Sequence, residues 1–558
     1  MITEGALLVG DSFRFKSFLL NKDGVYRYDA KKEEYEYLCA PVFISYKRQD
    51  YLNNQVTLGI NYWQNDQFNI LEIDAATFNK QMIDVLAPVG FLIPYYFKNY
   101  VNAYLILQQQ DVKFRKEYHQ IGFLARQSKD LPLIYGLSEP ISHSETNLQW
   151  NEALCRYDLK PNGDFNQWLD MVKKHVVSNP ALSFMLGVGF SSMLIGYSTT
   201  TSEPLNTQLV HLLGESGSGK TTAAMLALSI FGTPRELGDK SLFSTWNATN
   251  NALVNKLTGN YGVPVLFDEF SMSTASTVTS LVYVLASGKD KDRMTDQLKI
   301  KAGETWGTAF ITTGENSIFE RTNRNKGLIV RLHEYDNKQW TTNAEQSNEI
   351  KAVVNEHYGH AALVVARYLA ESNWSSVMPT IQYWKEQLLP MLPESDVKDR
   401  VARKYAATIA ALALAGEAMD VEFPLDEVIE FIVQNDYILE TQRDLAEVVY
   451  RSVIDDVRAN ANQFIFPNVA QSSFHIKGKI QRYQSFYKVY YIKTEFEKLL
   501  QSQGITNFSG IIKMLKRKPY FEADTDRPTQ RVVIEKDKGR QNTYVFKIPK
   551  AELDTWLG

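Results

Sequence analysis

GESGSGKTT, residues 214–222, places two glycines, a lysine and a threonine at the spacing Gly-x4-Gly-Lys-Thr. The apolar run LVHLL (209–213) comes before it, and the alanine- and leucine-rich run AAMLALSIF (223–231) comes after it. A buried strand, a glycine-rich turn and a helix in this order are the setting of a phosphate-binding loop. The alternative is a chance match in a loop rich in glycine and serine, which rarely falls between a strand and a helix.

This loop predicts a nucleotide site built largely from backbone groups. Successive N–H groups are expected to point at phosphate oxygens, and the following helix adds the partial positive charge of its N-terminus. Lys220 is expected to reach the β- and γ-phosphates, and Thr221 to bind Mg²⁺. The predicted contacts come from Gly214, Glu215, Ser216, Gly217, Ser218, Gly219, Lys220, Thr221 and Thr222.

Composition is that of a large globular protein. At 558 residues the chain is too long for one hydrophobic core, so about three or four domains are expected. The two cysteines, Cys39 and Cys155, lie far apart without the spacing of a metal site, which indicates a reducing, cytoplasmic setting. We expect no signal peptide and no membrane partner, because the one membrane-like stretch (181–197) is short and holds glycine and serine throughout.

The pattern of apolar residues predicts a multidomain α/β protein. Residues 1–75 alternate apolar and polar residues, as short antiparallel strands do, whereas residues 343–463 carry four or five helical patterns. Near the C-terminus, two helical patterns (494–503 and 508–518) precede a basic hairpin, which is a winged-helix pattern. We predict a β-rich N-terminal domain (1–140), a nucleotide-binding core with leading helices (141–340), a helical segment (341–465) and a winged helix (466–558).

Charge is unevenly distributed along the chain. Residues 471–558 hold 17 Lys and Arg against 9 Asp and Glu, whereas the remainder holds 43 against 55. A basic terminal domain on an acidic body favours a polyanionic partner such as DNA, with a solvated basic face as the alternative. The candidate DNA contacts are Lys513, Lys516, Arg517 and Lys518 at the end of one helix and Lys536, Lys538 and Arg540 in the hairpin turn.

A second motif lies downstream of the glycine-rich loop. VPVLFDEF (263–270) is an apolar strand that ends in two adjacent carboxylates. Asp268 suits Mg²⁺ at the edge of a sheet, and Glu269 suits the polarisation of an attacking water. A hydrolase needs this second acid, whereas a phosphotransferase needs an acceptor site. The alternative is a strand that simply ends in solvated acids.

Two further apolar runs follow. TAFITTGEN (308–316) ends in polar residues, and in multi-strand ATPases such a strand lies between the two nucleotide motifs and orients the water. NKGLIVRLHEY (325–335) presents Arg331 after its apolar residues. An arginine there is placed to reach a γ-phosphate held by a neighbouring subunit, which would make hydrolysis depend on a ring. An ordinary surface ion pair is the alternative.

Together these motifs resemble a known family. With WNATNNAL (246–253), GKDKDR (288–293) and GLIVRL (327–332), the segment 214–331 is similar to a P-loop domain of mobile genetic elements. The whole chain resembles the replicative helicases of cassette-chromosome elements, which are AAA+ ATPases related to the minichromosome-maintenance (MCM) helicases. The resemblance is specific over about 180–420, and the N-terminal domain matches only by position. It implies ATP and Mg²⁺ as cofactors, a homohexameric ring, and single-stranded and forked or origin duplex DNA as partners.

The resemblance also assigns individual residues. Gly214, Gly219, Lys220 and Thr221 match the Walker A group, and Asp268 and Glu269 match Walker B. Arg331 matches the arginine finger, and Arg400 matches the sensor-2 arginine, with Arg403 as the alternative. Where MCM proteins place the sensor-1 asparagine, this chain has Glu315, with Thr313 and Asn316 nearby.

A lysine-bearing hairpin is the remaining assignment. Lys301, in LKIKAGE, matches the lysine of the MCM presensor hairpin, which lines the central pore and grips the DNA backbone. Lys299 and Lys301 stand at period two, so both are expected on one face of a hairpin arm, with Ala302-Gly303 as its tip. A solvated surface hairpin is the alternative.

The sequence is compatible with three functions. The first is an ATP-driven DNA helicase that loads itself as a homohexamer in the replication of a mobile element. The second is a DNA-binding initiator or regulator that uses ATP as an assembly switch and unwinds nothing. Glu269 and the basic hairpin favour the helicase over the ATP switch. The third, a small-molecule kinase, is disfavoured because no acceptor-site pattern accompanies the nucleotide motifs.

Overall fold

The computed structural model contains two compact units, Met1–Arg156 and Tyr157–Gly558. Both units carry sheets together with helices, so the chain is a multidomain α/β protein, as the sequence predicts. The finer division into four domains stays a prediction. The structure describes residues 7–9, 12–79, 82–125, 131–236, 238–273, 278–294, 300–322, 328, 330–336, 339–443, 445–467, 475–503, 505, 508–523, 527–535 and 539–557.

The first unit is built mainly from short strands. One antiparallel sheet has the order β1-β2-β3-β4-β5, and a second sheet has the order β13-β9-β6-β7-β8, in which β9 runs parallel to both of its neighbours. The strands are β1 (Leu7–Val9), β2 (Ser12–Phe15), β3 (Phe18–Leu20), β4 (Val25–Asp29), β5 (Glu34–Cys39), β6 (Val42–Asp50), β7 (Val56–Gln64), β8 (Gln67–Asp74), β9 (Phe114–Tyr118), β10 (Ile121–Phe123), β11 (Tyr135–Gly136), β12 (Pro140–Ile141) and β13 (Leu148–Trp150).

One helix anchors these sheets through a buried polar contact. Gln108, on the second helix of the unit, is fully buried and accepts a hydrogen bond from the backbone N–H of Ile44 at 2.9 Å. Its amide donates to the hydroxyl of Tyr104, which in turn donates to the carbonyl of Val42. Each buried polar group therefore has a partner, as a stable core requires. The helices are α1 (Met82–Leu86) and α2 (Lys98–Asp111), with 3₁₀ turns at Ala75–Asn79, Ala87–Val89 and Tyr95–Phe97.

The second unit is organised around a five-stranded parallel sheet with the order β15-β17-β20-β14-β21. Its strands are almost entirely buried, which is usual where helices cover both faces of a parallel sheet. Three short strands, β16, β18 and β19, lie outside it. The strands are β14 (Gln208–Leu213), β15 (Phe243–Thr245), β16 (Asn260–Tyr261), β17 (Val265–Asp268), β18 (Arg293–Met294), β19 (Ile300–Lys301), β20 (Ala309–Gly314) and β21 (Leu332–Asp336).

Five helices accompany this sheet in the described part of the chain. One of them, Pro180–Ser198, is long and apolar enough to cross a membrane, but 94% of its apolar window is buried inside the protein. The predicted buried helix over the membrane-like stretch is therefore confirmed. The helices are α3 (Phe165–His175), α4 (Pro180–Ser198), α5 (Lys220–Ser229), α6 (Asn250–Leu257) and α7 (Val278–Ser287), with 3₁₀ turns at Phe270–Met272 and Ile318–Arg321.

The helical segment that follows holds more helices than the sequence predicts. The described residues contain six, not four or five, because some breaks between helices are very short. For example, only His357–Gly359 separate the first two, and Gly359 provides the break with a φ of +81°. The helices are α8 (Ala344–Glu356), α9 (His360–Glu371), α10 (Val377–Leu388), α11 (Lys398–Met419), α12 (Leu425–Arg443) and α13 (Leu445–Ala459), with 3₁₀ turns at Leu389–Met391 and Ala461–Gln463.

The C-terminal part combines helices with a sheet of order β22-β23-β24-β27-β25, and β26 pairs with β27 as a hairpin. The predicted helices and hairpin are confirmed, although the second helix ends three residues early, at Leu515. The elements are β22 (Phe464–Ile465), β23 (Gly478–Arg482), β24 (Phe486–Ile492), α14 (Lys493–Ser502), α15 (Phe508–Leu515), β25 (Phe521–Glu522), β26 (Gln530–Val533), β27 (Arg540–Pro549) and α16 (Lys550–Leu557).

Candidate functional site

The glycine-rich loop, residues 214–219, connects β14 to α5, as its flanking sequence predicts. Gly219 has a φ of +87°, and a Cβ there would lie 2.6 Å from the hydroxyl of Thr341, so only glycine fits. Gly217 also has a positive φ, and a Cβ there would meet no atom within 4 Å. The loop therefore packs closely against Thr341 at Gly219, whereas Gly217 faces open space.

The first residues of α5 point to different partners. The Nζ of Lys220 donates to the carbonyls of Gly214 and Glu215, each at 2.7 Å, so the lysine lies inside the curl of the loop. The hydroxyl of Thr221 donates to Oδ1 of Asp268 at 3.3 Å. Thr222, by contrast, is buried against Ser347 of α8, with 2.6 Å between the two hydroxyl oxygens. The structure therefore brings Lys220 and Thr221 into the candidate site and turns the side chain of Thr222 away from it.

Asp268 ends β17 at the same sheet edge as the glycine-rich loop. Its neighbour in the sheet, β20, lies between β17 and β14 and places the hydroxyl of Thr313 against the Asp268 carboxylate. The backbone N–H of Glu269 donates to the same hydroxyl at 3.1 Å. Burial raises the pKa of the Asp268 carboxyl, although the hydroxyls of Thr313 and Thr221 partly oppose this. Loop, carboxylates and intermediate strand thus meet at one edge.

Glu269 adopts an uncommon backbone conformation. Its φ of +58° lies in the left-handed region, which a residue with a side chain enters only at a cost. The turn directs the chain away from β17 immediately after Asp268, and the Glu269 side chain is half-buried, with the hydroxyl of Ser271 as a partner. Two adjacent carboxylates therefore occupy different surroundings, as a metal ligand and a base require.

The polar residues at the end of β20 lie in different surroundings. Glu315 is exposed and follows the last residue of β20, whereas Thr313 contacts Asp268 directly. The backbone carbonyl of Asn316 lies 3.1 Å from Nε2 of the buried His211, on β14. Burial lowers the pKa of His211 to about 4, so this histidine stays neutral between the two strands. Polar residues inside the apolar runs at 209–213 and 308–314 were the available signal for His211 and Thr313.

The two predicted arginines meet in one pocket. Arg331, directly before β21, and Arg400, on α11, line a pocket of about 170 Å³, called here the basic pocket. The sequence did not point to Lys404, which lies at its buried end. The lining residues are Pro204, Leu205, Asn206, Val330, Arg331, Arg400, Arg403 and Lys404.

The basic pocket lies at the opposite end of the sheet from the glycine-rich loop. Asn206 precedes the first residue of β14, and Arg331 precedes the first residue of β21, whereas the loop follows the last residue of β14. Six strand residues at about 3.3 Å each separate the two ends by roughly 20 Å. These arginines therefore cannot contact a phosphate held on the loop of their own chain.

The lysine-bearing segment forms a hairpin, but its predicted tip is wrong. Arg293 pairs with Lys301 and Met294 with Ile300, so Ala302-Gly303 lies at the base of the hairpin and not at its tip. The backbone N–H of Gly303 donates to Asp292 at 2.7 Å, and a Cβ on Gly303 would lie only 2.0 Å from the carbonyl of Asp290. The glycine thus permits close approach of the two arms rather than a turn. Lys299 lies outside the described residues.

The basic residues of the C-terminal part are partly described. Lys513, Lys516 and Arg517 are exposed at the end of α15, and Lys518 is half-buried. Arg540 is exposed at the start of β27, while Lys536 and Lys538 lie outside the described residues. Arg531, which no sequence pattern singled out, is exposed on β26 two residues before the partner of Arg540. A strand over QRVV places Arg531 and Val533 on one face, because successive side chains of a strand point to opposite sides.

The chain matches two protein families and resembles a solved structure in fold. Residues 18–305 match the family described as domain of unknown function (DUF927), and residues 444–551 match the Cch helix turn helix domain. The chain is similar to the solved structure of "SCCmec type IV Cch - active helicase", with a TM-score of 0.77 and 22% identity, over 97% of this chain and 99% of that one. The C-terminal region of NrS-1 aligns at a TM-score of 0.28 and 12% identity, over 91% of this chain and 96% of that one, which is too low to support an argument. No curated protein sequence matches the chain.

The fold and the site define a multidomain α/β protein that has a glycine-rich loop on a parallel sheet and a C-terminal helix-turn-helix domain. Because the family model matches more than half of its residues, the chain belongs to the DUF927 family. The predicted resemblance to cassette-chromosome helicases is confirmed by the Cch helix-turn-helix match and by the shared fold.

Proposed function

We propose that this chain is an ATP-driven DNA helicase of a mobile genetic element, with an AAA+ P-loop core that works as a homohexameric ring. The observation that carries the proposal is the separation of two half-sites. Lys220, Asp268 and Glu269 lie at one edge of the parallel sheet, and the basic pocket lies about 20 Å away at the other. One nucleotide can contact both half-sites only if the glycine-rich loop comes from one copy and the basic pocket from a second copy. Neighbouring subunits of a ring provide this arrangement.

The residues at the first edge fit a magnesium nucleotide. The open curl of the loop offers backbone N–H groups to phosphates, and Lys220 supplies a charge inside it. The Thr221 hydroxyl and the Asp268 carboxylate lie side by side and are the oxygen donors that Mg²⁺ prefers. Bound Mg²⁺ would neutralise phosphate charge. Glu269 would orient and deprotonate the attacking water, and Thr313 would hold the strand end against both acids.

The position of β20 supports the AAA+ assignment. This strand lies between the strand of the glycine-rich loop and the strand of Asp268, as expected for the strand that orients the water in multi-strand ATPases. Arg331 would act as the arginine finger and Arg400 as sensor 2, both on ATP bound by a second copy. The solved structure of similar fold is described as an active helicase, which agrees with hydrolysis coupled to unwinding.

Strand displacement tests the motor directly. We expect the protein to release a labelled strand from a forked duplex when ATP and Mg²⁺ are present, and to release none with a non-hydrolysable ATP analogue. Lys301→Ala is expected to keep ATP binding and basal hydrolysis, because β19 lies outside the nucleotide edge, but to lose most strand displacement. Gel separation of the labelled strand measures the effect.

A control and a contrary outcome complete this test. Lys289→Ala, at the base of the same hairpin, removes an exposed lysine that already pairs with Asp292 and is expected to unwind nearly as well as the parent. If the parent binds DNA and hydrolyses ATP yet displaces no strand, the protein is an ATP-switched initiator and not a motor.

DNA binding by the C-terminal part is tested through salt dependence. Lys513, Lys516 and Arg517 are exposed together, so the triple change to Gln should remove up to three phosphate contacts. Each contact contributes about 0.9 to the slope of log affinity against log salt, so the slope should fall by up to about 2.7. Fluorescence anisotropy of labelled duplex across a salt series measures it.

The matched change is Lys498→Gln on α14, a lysine that already pairs with Glu495. This variant should leave the slope within the error of the parent. An unchanged slope in the triple variant would mean that the cluster is only a solvated face.

A further inference from the structure

The basic pocket brings four cations together at one end of the sheet. Arg331 approaches from the strand side, and Arg400, Arg403 and Lys404 approach from α11. Among the described residues that line the pocket there is no carboxylate, and Glu203, which pairs with Arg403, is mostly exposed. The pocket therefore carries an excess of positive charge.

Lys404 is the most unusual member of this group. Its side chain is buried, and Nζ donates to the backbone carbonyl of Thr207 at 3.3 Å. Burial, and then the nearby charges of Arg331 and Arg400, lower the pKa of Lys404 to about 7. A buried lysine beside two guanidinium groups costs stability unless an anion accompanies it.

The size of the pocket suits a phosphate group. Its volume of about 170 Å³ equals several times the roughly 30 Å³ that one water occupies in the liquid. An arginine guanidinium group can donate two parallel hydrogen bonds to phosphate oxygens, and a lysine ammonium group adds a compact positive charge. Pro204, Leu205 and Val330 supply apolar walls beside these charges.

We propose that Lys404 is a third phosphate-binding cation, which joins Arg331 and Arg400 on the terminal phosphate of ATP held by the glycine-rich loop of a second copy. The inference rests on the proposed function and deepens it. The proposed function assigns roles to the glycine-rich loop and to Arg331 and Arg400, but none to this lysine. Phosphate binding favours the charged lysine, so the site takes up a proton when the two copies close on the nucleotide.

The position of Lys404 also connects the two half-sites. Its partner Thr207 directly precedes β14, and one turn further along α11 Thr408 accepts a hydrogen bond from Gln208, the first residue of β14, at 3.1 Å. The other end of β14 leads into the glycine-rich loop of the same chain. Lys404, which would bind the phosphate held by the second copy, is therefore hydrogen-bonded next to β14. This strand leads into the glycine-rich loop of the copy that contains Lys404.

The test uses the full-length protein and the variant Lys404→Met, which keeps the length of the side chain and removes its charge. We expect ATP turnover to fall at least tenfold, while each copy still binds ATP on its own loop. Because the change removes a buried charge, the variant should unfold at the same temperature as the parent or higher. Lys398→Met, on the same helix but outside the pocket, should keep parental turnover.

Mixing of variants assigns the lysine to the second copy. Lys404→Met copies have intact loops, and Lys220→Ala copies have intact basic pockets. In mixed assemblies, ATP bound on the loop of a Lys404→Met copy contacts the intact basic pocket of a Lys220→Ala copy. Partial ATP turnover should therefore return, although each variant alone has little. Arg331→Ala, mixed in the same way, is the positive comparison.

A pH series adds a second readout. Above pH 7 the neutral Lys404 must gain a proton to bind phosphate, so the apparent affinity between copies in ATP should weaken by up to tenfold per pH unit in the parent. Among the described residues that line the pocket, the charged groups beside Lys404 are Arg331, Arg400 and Arg403, and Glu203 is bonded to Arg403. Lys404→Met should lack this component.

The outcomes separate the inference from the proposed function. Parental turnover in Lys404→Met overturns the inference alone, and so does a loss of turnover that no mixing ratio restores. Absence of ATP turnover in the parent protein instead removes the proposed function. Recovery on mixing, together with the weaker pH dependence of the variant, supports both.

Discussion

Lys220→Ala is expected to reduce ATP turnover by about a hundredfold or more. The lysine lies inside the curl of the glycine-rich loop, where its Nζ is within 2.7 Å of two loop carbonyls. Removal of a positive charge that stabilises developing phosphate charge typically costs two to three orders of magnitude, about 2.7–4 kcal/mol. Phosphate release, followed continuously, measures the effect.

An exposed lysine of the same unit provides the control for this change. Lys173→Ala, on α3, should hydrolyse ATP at the parental rate, and both variants should melt near the parental temperature. Turnover of Lys220→Ala close to that of the parent would remove the nucleotide site from the glycine-rich loop.

Glu269→Gln is expected to trap the protein with ATP bound. The change keeps the size of the side chain and its hydrogen bonding but removes the base, which typically contributes 10²–10⁴ to a rate. ATP binding should persist because Lys220, Thr221 and Asp268 are unchanged, so the protein should accumulate as a nucleotide-bound ring. Single-turnover hydrolysis measures the chemical step, and mass measurement with and without ATP reports the assembly.

Two neighbouring changes serve as comparisons for Glu269. Thr313→Val removes the hydroxyl that contacts both Asp268 and the backbone of Glu269, so its turnover should fall clearly. Glu315→Gln, at the exposed position after β20, is expected to have the smaller effect. Normal hydrolysis by Glu269→Gln would move the base elsewhere, and a larger loss in Glu315→Gln would restore Glu315 as the sensor.

Local patterns explain what the sequence predicted well. The strand, the glycine-rich loop and the helix are consecutive in the chain, so their arrangement follows from apolar runs and glycine spacing alone. Asp268 and Glu269 end a run of buried residues, which fixes their place at a sheet edge once the strand is parallel to β20. Each of these predictions needs only a few neighbouring residues and one rule about parallel strands.

What the sequence did not reveal depends on distant contacts. The basic pocket combines residues near 205, 331 and 400, and no local pattern records that Lys404 of α11 would donate to Thr207. The predicted tip of the lysine hairpin is wrong because a glycine in sequence indicates a turn, whereas Gly303 serves close packing against Asp290. Thr222 belongs to the loop motif by sequence, yet its contact with Ser347 forms only when α8 packs on α5.

The apolar helix α4 has a consequence for how this protein is made. It packs against α11, and the bond between Gln208 and Thr408 spans 200 residues of sequence. At a synthesis rate of about 5–20 residues per second, the ribosome needs roughly 10–40 s to produce the segment between them. During that interval the face of α4 that α11 covers in the folded protein stays exposed on the nascent chain. Chaperone binding to this apolar face is therefore expected to protect the nascent chain from aggregation.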